Sequence, residues 1–375
     1  TARAFFNHHL ERPLVFYQGV FSRWQGAFYE ELSDASLRAD IYAFLDQAQL
    51  KPNARRVSDV VDALKAQTNI SEKFSPPCWL QSGVPARGLV VFRNGALHIE
   101  PGAPPELTPH DSGLFVTAGC DYDFDSATPA PARWLRFLSD LWGDDSLAIS
   151  MLQEWFGLML VSETRLQKML LIVGPRRSGK GTIARVLHGV VGPAQIAAPT
   201  LGSLAMPFGL AGLIGKSLAI IGDARLGQRT DEQVIAERLL SVTGEDAISI
   251  QRKFLPDWTG QLGVRVMMLS NELPRIGDAS GALASRLLVL ILRRSFEGRE
   301  DSRLTDELLE ERAAIAAWAL EGLARLRERG HFIQPDSGRD ALDTVGELGS
   351  PVAAFIADEC ELRPDAQVSV DDLYS

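Results

Sequence analysis

The sequence predicts an α/β protein whose centre is a parallel sheet. Between Lys168 and about Phe296, short apolar runs alternate with loops and helical segments, as they do in an α/β layer. A glycine-framed basic loop follows the first of these runs. The 375 residues are 46% hydrophobic and 23% charged, which is typical of a globular protein with enough apolar material for a core.

A mixed α+β region precedes the predicted sheet. Bulky residues alternate with glycine over 15–32, which predicts a short hairpin. Apolar residues recur at helical spacing over 36–50 and 57–70, and each segment has a serine at or near its start. Segment 85–111 predicts two strands around Asn94-Gly95, a typical hairpin turn, followed by a proline-rich loop.

Amphipathic helices are predicted before and after the sheet-forming segment of the sequence. A linker-like stretch over 127–134 leads into two helices within 134–160, which join near Gly143. The aromatic face of the first helix is predicted to pack into the core without a chemical role. Further helices are predicted over 303–330 and within 352–362.

The composition excludes several classes of protein. No stretch approaches the roughly 18 apolar residues of a membrane span, and the first residues show no secretory leader. Three scattered cysteines favour a reducing cytoplasm. The net charge of −10 opposes a protein that coats duplex DNA with a basic face, but it allows a small basic surface. The chain begins at Thr1, which predicts a fragment or a processed piece.

The glycine-framed loop GPRRSGKGT predicts a nucleotide site of the P-loop type. Its glycines allow backbone amides to turn toward phosphates, the following helix presents its positive end, and the lysine reaches terminal phosphate oxygens. An apolar strand precedes the loop and a plausible helix follows it, as the motif requires. The predicted nucleotide contacts are Gly174, Ser178, Gly179, Lys180, Gly181 and Thr182.

A carboxylate near the Mg²⁺ that accompanies ATP is expected at the tip of another strand. The run SLAIIGD ends at Asp223, where a Walker B acid belongs. Gly181 stands where a hydroxyl residue usually follows the lysine, so Thr182 is the predicted metal-contacting hydroxyl together with Asp223. Asp231 and Glu232 are candidates for orienting the attacking water.

Two further strand ends carry polar residues. The apolar run over 263–270 ends at Asn271, whose amide is placed to contact the γ-phosphate or its water. Arg286 stands at the start of the apolar run that ends near 292, and by itself is an ordinary surface residue.

The four motifs in this order resemble those of superfamily 3 DNA helicases, specifically the helicase part of phage and plasmid primase-helicases, which are related to the poxvirus type. The resemblance rests on GPRRSGKGT, IIGDAR, LSNELPR and ASR, and it extends upstream through the helical region. It implies an AAA+-like core that forms a ring, commonly a hexamer, around single-stranded DNA. Such a ring moves 3′ to 5′ along the DNA and hydrolyses ATP at the interfaces between its subunits.

The resemblance also assigns roles to single residues. Asn271 matches the sensor position, and Arg286 matches the arginine finger that reaches a neighbouring subunit's site. In well-studied cases a finger contributes about 10³–10⁵ in rate, because it neutralises developing charge only when subunits are apposed. The predicted catalytic residues are therefore Lys180, Asp223, Asn271 and Arg286.

Segment 248–258 falls where these helicases place a β-hairpin that points into the channel. Arg252 and Lys253 are predicted to bind phosphate, and Phe254 is predicted to stack on bases. Further basic residues flank this region and would add local positive charge: Arg225, Arg229, Arg238 and Arg265.

The resemblance implies a domain order. It comprises an N-terminal α+β domain over 1–130, a helical collar over 131–166, a P-loop core over 167–298, a helical segment over 299–335 and the start of a truncated winged-helix-like module over 348–375. It also implies a bacterial host cytoplasm and allows a primase domain or subunit upstream of residue 1.

Two alternatives to the helicase remain open. The single acid at Asp223 favours an ATP-binding, DNA-binding ring with weak or no hydrolysis, acting in loading, packaging or defence. The letters GKGT are also found in nucleotide kinases, but the expected arginine-rich lid is missing from 196–213, which makes a kinase the weaker alternative.

Overall fold

Described residues 13–115 form three small antiparallel sheets and two helices. The computed structural model of the protein describes residues 4–5, 13–71, 73–224, 231–274 and 281–349, together with residues 355, 360, 367 and 369. In chain order the N-terminal elements are β1 (Leu14–Tyr17), β2 (Val20–Trp24), β3 (Tyr29–Leu32), α1 (Asp34–Gln47), α2 (Ala54–Thr68), β4 (Cys78–Trp79), β5 (Leu89–Phe92), β6 (Gly95–His98), β7 (Glu106–Thr108) and β8 (Leu114–Phe115).

The N-terminal elements largely follow the sequence pattern. Both predicted helices are present, and the side chains of Ser33 and Asn53 accept hydrogen bonds at their first turns. The hairpin predicted over 15–32 is instead three-stranded, because the chain turns at Gly26 and β3 pairs with β2. The predicted hairpin at Asn94-Gly95 is formed by β5 and β6, and β7 adds a third strand.

Two helices connect this region to the central sheet. They are α3 (Ala132–Trp142) and α4 (Ser146–Leu160), as the sequence predicts. Asp145 caps α4 by accepting a hydrogen bond from the amide of Ala148. Trp134 and three further residues of the apolar face of α3 are buried in the largest core cluster, so the predicted packing role is confirmed.

A five-stranded parallel sheet lies at the centre of the molecule. The elements that follow α4 are β9 (Met169–Val173), α5 (Lys180–Val191), β10 (Ile196–Ala197), α6 (Leu201–Leu204), β11 (Leu218–Ile221), α7 (Glu232–Thr243), β12 (Ala247–Arg252), β13 (Leu255–Gln261), β14 (Arg265–Ser270), α8 (Ala282–Arg286) and β15 (Leu287–Ile291). The sheet order is β10-β11-β14-β9-β15, and β12 pairs only with β13. The chain is therefore an α/β protein with a parallel sheet, as predicted.

Successive side chains of β9 divide between the two faces of the sheet. Leu170 and Ile172 pack with α4 and α5, whereas Met169 and Leu171 pack with α7. Covering on both faces explains why the strand is an uninterrupted apolar run.

Three helices close the described part of the chain: α9 (Leu304–Leu309), α10 (Arg312–Arg329) and α11 (Asp336–Gly349). The single helix predicted over 303–330 is two helices. The sequence predicts a loop between that segment and the helix within 352–362, and this is wrong because α11 occupies most of that stretch. Gly338 permits this packing, since a Cβ there would lie 2.4 Å from the carbonyl oxygen of Val289. Beside it, the Gln334 side chain bonds both the amide and the carbonyl of Val289 on β15. The predicted winged-helix-like region lies almost entirely outside the described residues.

Arg265 has a structural position and does not supply the local positive charge expected of it beside the hairpin. The residue is buried at the start of β14, and its guanidinium donates to the carbonyl oxygens of Leu158 (3.0 Å) and Val161 (2.7 Å) at the end of α4. Burial lowers the pKa of Arg265 to about 10, with the charge of Glu163 acting against the shift. Arg265 therefore satisfies helix-terminal carbonyls that would otherwise have no partner.

Replacing Arg265 with methionine is expected to lower the free energy of unfolding by about 3 kcal/mol or more, because several buried carbonyl groups lose their donor. Urea unfolding followed by circular dichroism measures the change. Arg339→Met is the matched control, since Arg339 is exposed and its ion pair joins two residues of one helix. Equal unfolding midpoints for the two variants would contradict the capping role.

Candidate functional site

The loop between β9 and α5 turns sharply from the sheet into the helix. It leaves the carboxyl end of β9 at Gly174, where an added Cβ would lie 2.6 Å from the carbonyl oxygen of Leu292. Gly179 has a φ of +95° and begins the turn into α5, a conformation that favours glycine. The loop therefore directs the amides of the first turn of α5 toward one edge of the sheet.

Lys180 lies inside this loop. Its ammonium donates to the carbonyl oxygens of Gly174 (2.6 Å) and Pro175 (2.7 Å) and to Oδ1 of Asn271 (3.2 Å). Burial lowers the pKa of Lys180, and the charge of Asp223 acts in the opposite direction. Asn271 and Asp223 follow the carboxyl ends of β14 and β11. Lys180 begins α5, after the loop that leaves the carboxyl end of β9. The three residues therefore lie at the same end of the parallel strands.

Asp223 and Thr182 come from different elements. Asp223 follows β11 by two residues and is exposed. Thr182 lies on the first turn of α5, and its hydroxyl accepts a hydrogen bond from Nη2 of Arg185 (3.3 Å). A Cβ at Gly181 would lie 3.1 Å from the same guanidinium, so the glycine leaves room for Arg185 beside the first turn.

A cavity of about 720 Å³ opens next to the loop. Its walls come from α3, the 174–185 loop and helix, and the segment over 296–308. Seven basic and four acidic side chains line it, so its local charge is opposite to that of the whole chain. Asp223 is not among the lining residues, although its charge reaches Lys180. A basic cavity at the carboxyl edge of a parallel sheet suits an anionic ligand.

Several residues of this cavity were not predicted from the sequence. Phe137 was assigned to the core alone, yet its ring borders both the cavity and Gly179. Arg185, Phe296 and Glu307 also line the cavity. The one available signal was the position of Arg185 a single helical turn beyond Thr182, on the same face of α5.

Arg286 lies at the amino ends of the parallel strands, opposite to the loop. The start of β15 pairs with the start of β9, which separates Arg286 from the loop by about 16 Å or more of strand. Its guanidinium donates to the carbonyl oxygen of Leu240 and to the hydroxyl of Thr243 (2.8 Å), near the end of α7. Arg286 is thus remote from the loop of its own chain.

The hairpin of β12 and β13 carries the predicted DNA contacts at its turn. Phe254 is 93% exposed, and the ammonium of Lys253 lies 5.2 Å from the centre of its ring. Arg252 is instead engaged within the chain, since its guanidinium donates to the carbonyl oxygens of Pro256 (2.9 Å) and Gln18 (2.9 Å). Lys253 and Phe254 therefore form the exposed tip.

The remaining predicted residues have mixed positions. Arg238 donates to the carbonyl oxygen of Met206 (2.9 Å), which ties α7 to the segment after α6. Asp231 caps α7 by accepting from the amide of Val234, and Glu232 is exposed in its first turn. Arg225 and Arg229 lie outside the described residues.

Residues 172–286 match a protein family described as a family of unknown function, DUF5906. That segment runs from the end of β9 to Arg286, so it contains the loop and the three strand ends described above. The fold resembles apo structures of the C-terminal region of NrS-1. One aligns with a TM-score of 0.61 at 13% identity, covering 94% of this chain and 77% of that chain. An A-form structure of the same region aligns with a TM-score of 0.58 at 12% identity, covering 91% of this chain and 74% of that chain.

At this identity the likeness is one of fold. Across the described ranges, no helix is both long and apolar enough to span a bilayer.

Proposed function

We propose that this chain is an ATP-dependent DNA helicase or translocase of phage or plasmid replication, of the superfamily 3 kind. It acts as a ring, hexameric in the simplest case, that moves 3′ to 5′ on single-stranded DNA in the cytoplasm of a bacterial host. One observation carries this proposal: Lys180 and Asn271 are hydrogen-bonded at the carboxyl edge of a parallel sheet, beside a basic cavity that the loop amides border.

The residues present suit a nucleoside triphosphate. Lys180 and the first-turn amides would bind phosphate oxygens, because ammonium and amide groups are donors and the helix end is positive. Thr182 and Asp223 would hold the Mg²⁺, which neutralises phosphate charge when bound. Asn271 would position the attacking water through its side-chain amide. Arg286 of the same chain has no role in binding this triphosphate.

The position of Arg286 supports a ring. An arginine at the amino ends of the strands is too far from the loop of its own chain. It can assist hydrolysis only at another subunit's loop, and then only when the two copies are apposed. Its present contacts with the end of α7 leave the residue close to the root of the hairpin, which begins at Ala247. Association of copies would place hydrolysis between subunits.

The test is ATP hydrolysis with and without single-stranded DNA at low salt, followed by strand displacement on a substrate with a 3′ tail. DNA-stimulated turnover together with displacement is the expected result. Binding of both ligands without turnover would contradict helicase activity. That outcome would favour the second candidate, an ATP-binding ring with weak hydrolysis, which the exposure of Asp223 outside the cavity supports.

The hairpin tip provides a separate prediction. Replacing Lys253 and Phe254 together with alanine is expected to weaken binding of oligo-dT by about 5- to 150-fold, the loss of roughly one stacked base. Fluorescence anisotropy measures this, and basal ATP hydrolysis should stay unchanged because neither residue of the tip lines the cavity. Gln251→Ala, an exposed change on the same hairpin, is the control. Unaltered DNA affinity in the double variant would remove the tip from the DNA-binding surface.

A further inference from the structure

Helix α3 spans the basic cavity from end to end. Near its carboxyl end, Leu141 and Phe137 contact the loop, since a Cβ on Gly179 would lie 3.0 Å and 3.3 Å from their side chains. Near its amino end, Arg133 forms an ion pair with Glu310 (2.9 Å), just beyond α9. Residues 133 and 141 are about 12 Å apart along the helix axis. The cavity therefore extends well beyond the loop, toward α9.

Helix α9 borders the far end of this space and packs along α5. The guanidinium of Arg185 donates to the hydroxyl of Thr305 (3.3 Å), one residue into α9. A Cβ on Gly189 would lie 2.3 Å from the side chain of Leu309, so the two helices are in close contact there. The cavity is thus a slot that runs from the loop to α9.

The two ends of the slot differ in chemistry. The loop end carries the ammonium of Lys180. At the α9 end the cations Arg133 and Arg185 are bonded to Glu310 and Thr305, and α9 adds the apolar Leu304 and Leu308 and the carboxylate of Glu307. Glu307 is half-buried, and its carboxylate makes no hydrogen bond or ion pair with any residue in the described part of the chain. An ionised carboxylate only accepts hydrogen bonds and repels phosphate, so this end suits a neutral group that carries donors.

An aromatic ring lines the slot beside the loop. Phe296 lines the slot and is half-buried, and its backbone amide donates to the carbonyl oxygen of Arg177 (2.9 Å) in the loop. This bond holds the ring beside the loop. An aromatic face next to a charged phosphate site suits a flat heterocycle, which stacks with little dependence on its identity.

We propose that the nucleoside end of the triphosphate binds between α3 and α9, where Phe296 stacks on the base and Glu307 accepts a hydrogen bond from the nucleoside. The inference rests on the proposed function, because it assumes that the triphosphate occupies the loop end. It adds the residues that distinguish a nucleotide from a bare polyphosphate.

The test compares ATP with inorganic tripolyphosphate, which lacks the nucleoside, by calorimetric titration of the whole chain. Glu307→Ala is expected to weaken ATP binding by about 10-fold or more, the usual effect of losing a hydrogen bond to a charged group, and to leave tripolyphosphate unchanged. Asp306→Ala is the matched control, because Asp306 is the exposed neighbour of Glu307 on α9 and does not line the slot. Phe296→Leu should likewise weaken ATP alone.

The inference would be overturned if Glu307→Ala bound ATP as tightly as Asp306→Ala does. It would also be overturned if Glu307→Ala bound ATP and tripolyphosphate with equally reduced affinity. The failure of the proposed function has a different signature. In that case wild-type protein would bind neither ligand, or Lys180→Ala would bind tripolyphosphate as well as wild type does.

Discussion

Lys180→Ala is expected to lower ATP hydrolysis by about 10²–10³-fold, the usual loss when one preorganised donor is removed from a reacting charge. The ammonium lies within the loop, in hydrogen-bonding contact with Asn271 on the next strand. The substitution therefore removes positive charge at the loop and also releases the amide of Asn271. Both changes act on the triphosphate end of the cavity and leave the core packing intact.

Steady-state release of phosphate at saturating ATP measures this loss. Lys216→Ala serves as the control, because Lys216 precedes β11 at the amino ends of the strands and donates to the carbonyl oxygen of Ala194. Full activity of Lys180→Ala with normal affinity for ATP would place the nucleotide elsewhere. A loss shared with Lys216→Ala would indicate a general effect of removing a lysine.

Arg286→Ala is expected to lower turnover by about 10³-fold or more without weakening the binding of ATP, because a finger acts on the transition state of a neighbouring site. In mixtures with wild type, activity should fall more steeply than the fraction of variant. Each variant subunit would disable the adjacent site and interrupt the ring. A linear decline with composition would show that Arg286 acts outside the neighbouring site.

Arg286 also supports its own chain, so the experiment needs two controls. Thr243→Val removes one of the acceptors of Arg286 at the end of α7 and retains the guanidinium, so it should preserve most of the turnover. Arg293→Ala removes an exposed arginine beyond the other end of β15. Equal losses in Arg286→Ala and Thr243→Val would mean that Arg286 serves mainly to anchor α7.

The local elements of the core were predictable from the sequence. The strands β9, β11, β14 and β15 are short apolar runs bounded by polar residues, and each was predicted within a few residues. The polar strand ends could also be named, because Asp223 and Asn271 directly follow such runs. Strand order was not predictable, since it depends on long-range packing between faces that look equally apolar in sequence.

The residues missed at the site are distant in sequence from the loop. Phe137 precedes the loop by almost 40 residues and resembles any core aromatic, whereas Phe296 and Glu307 follow it by more than 100. Charge alone was also misleading, because it does not reveal burial. Arg265 and Arg238 were expected to add positive charge beside the hairpin, but carbonyl groups at the ends of nearby helices accept hydrogen bonds from them.

Helix α11 was missed because its sequence contains several glycines, which disfavour helix in isolation. Tertiary packing outweighs that preference, since Gly338 allows the helix to lie against the backbone of β15.

In the described part of the chain, the outer edges of the central sheet are poorly suited to pair with another strand. β10 is only two residues long, and the side chain of Gln334 already occupies the amide and carbonyl of Val289 on β15. Short or covered edges suppress the addition of further strands. Copies of this chain should therefore not extend the central sheet across their contacts, so the contacts can open and close while the central sheet of each subunit stays intact. The same closed edges should slow edge-to-edge aggregation when the protein is concentrated.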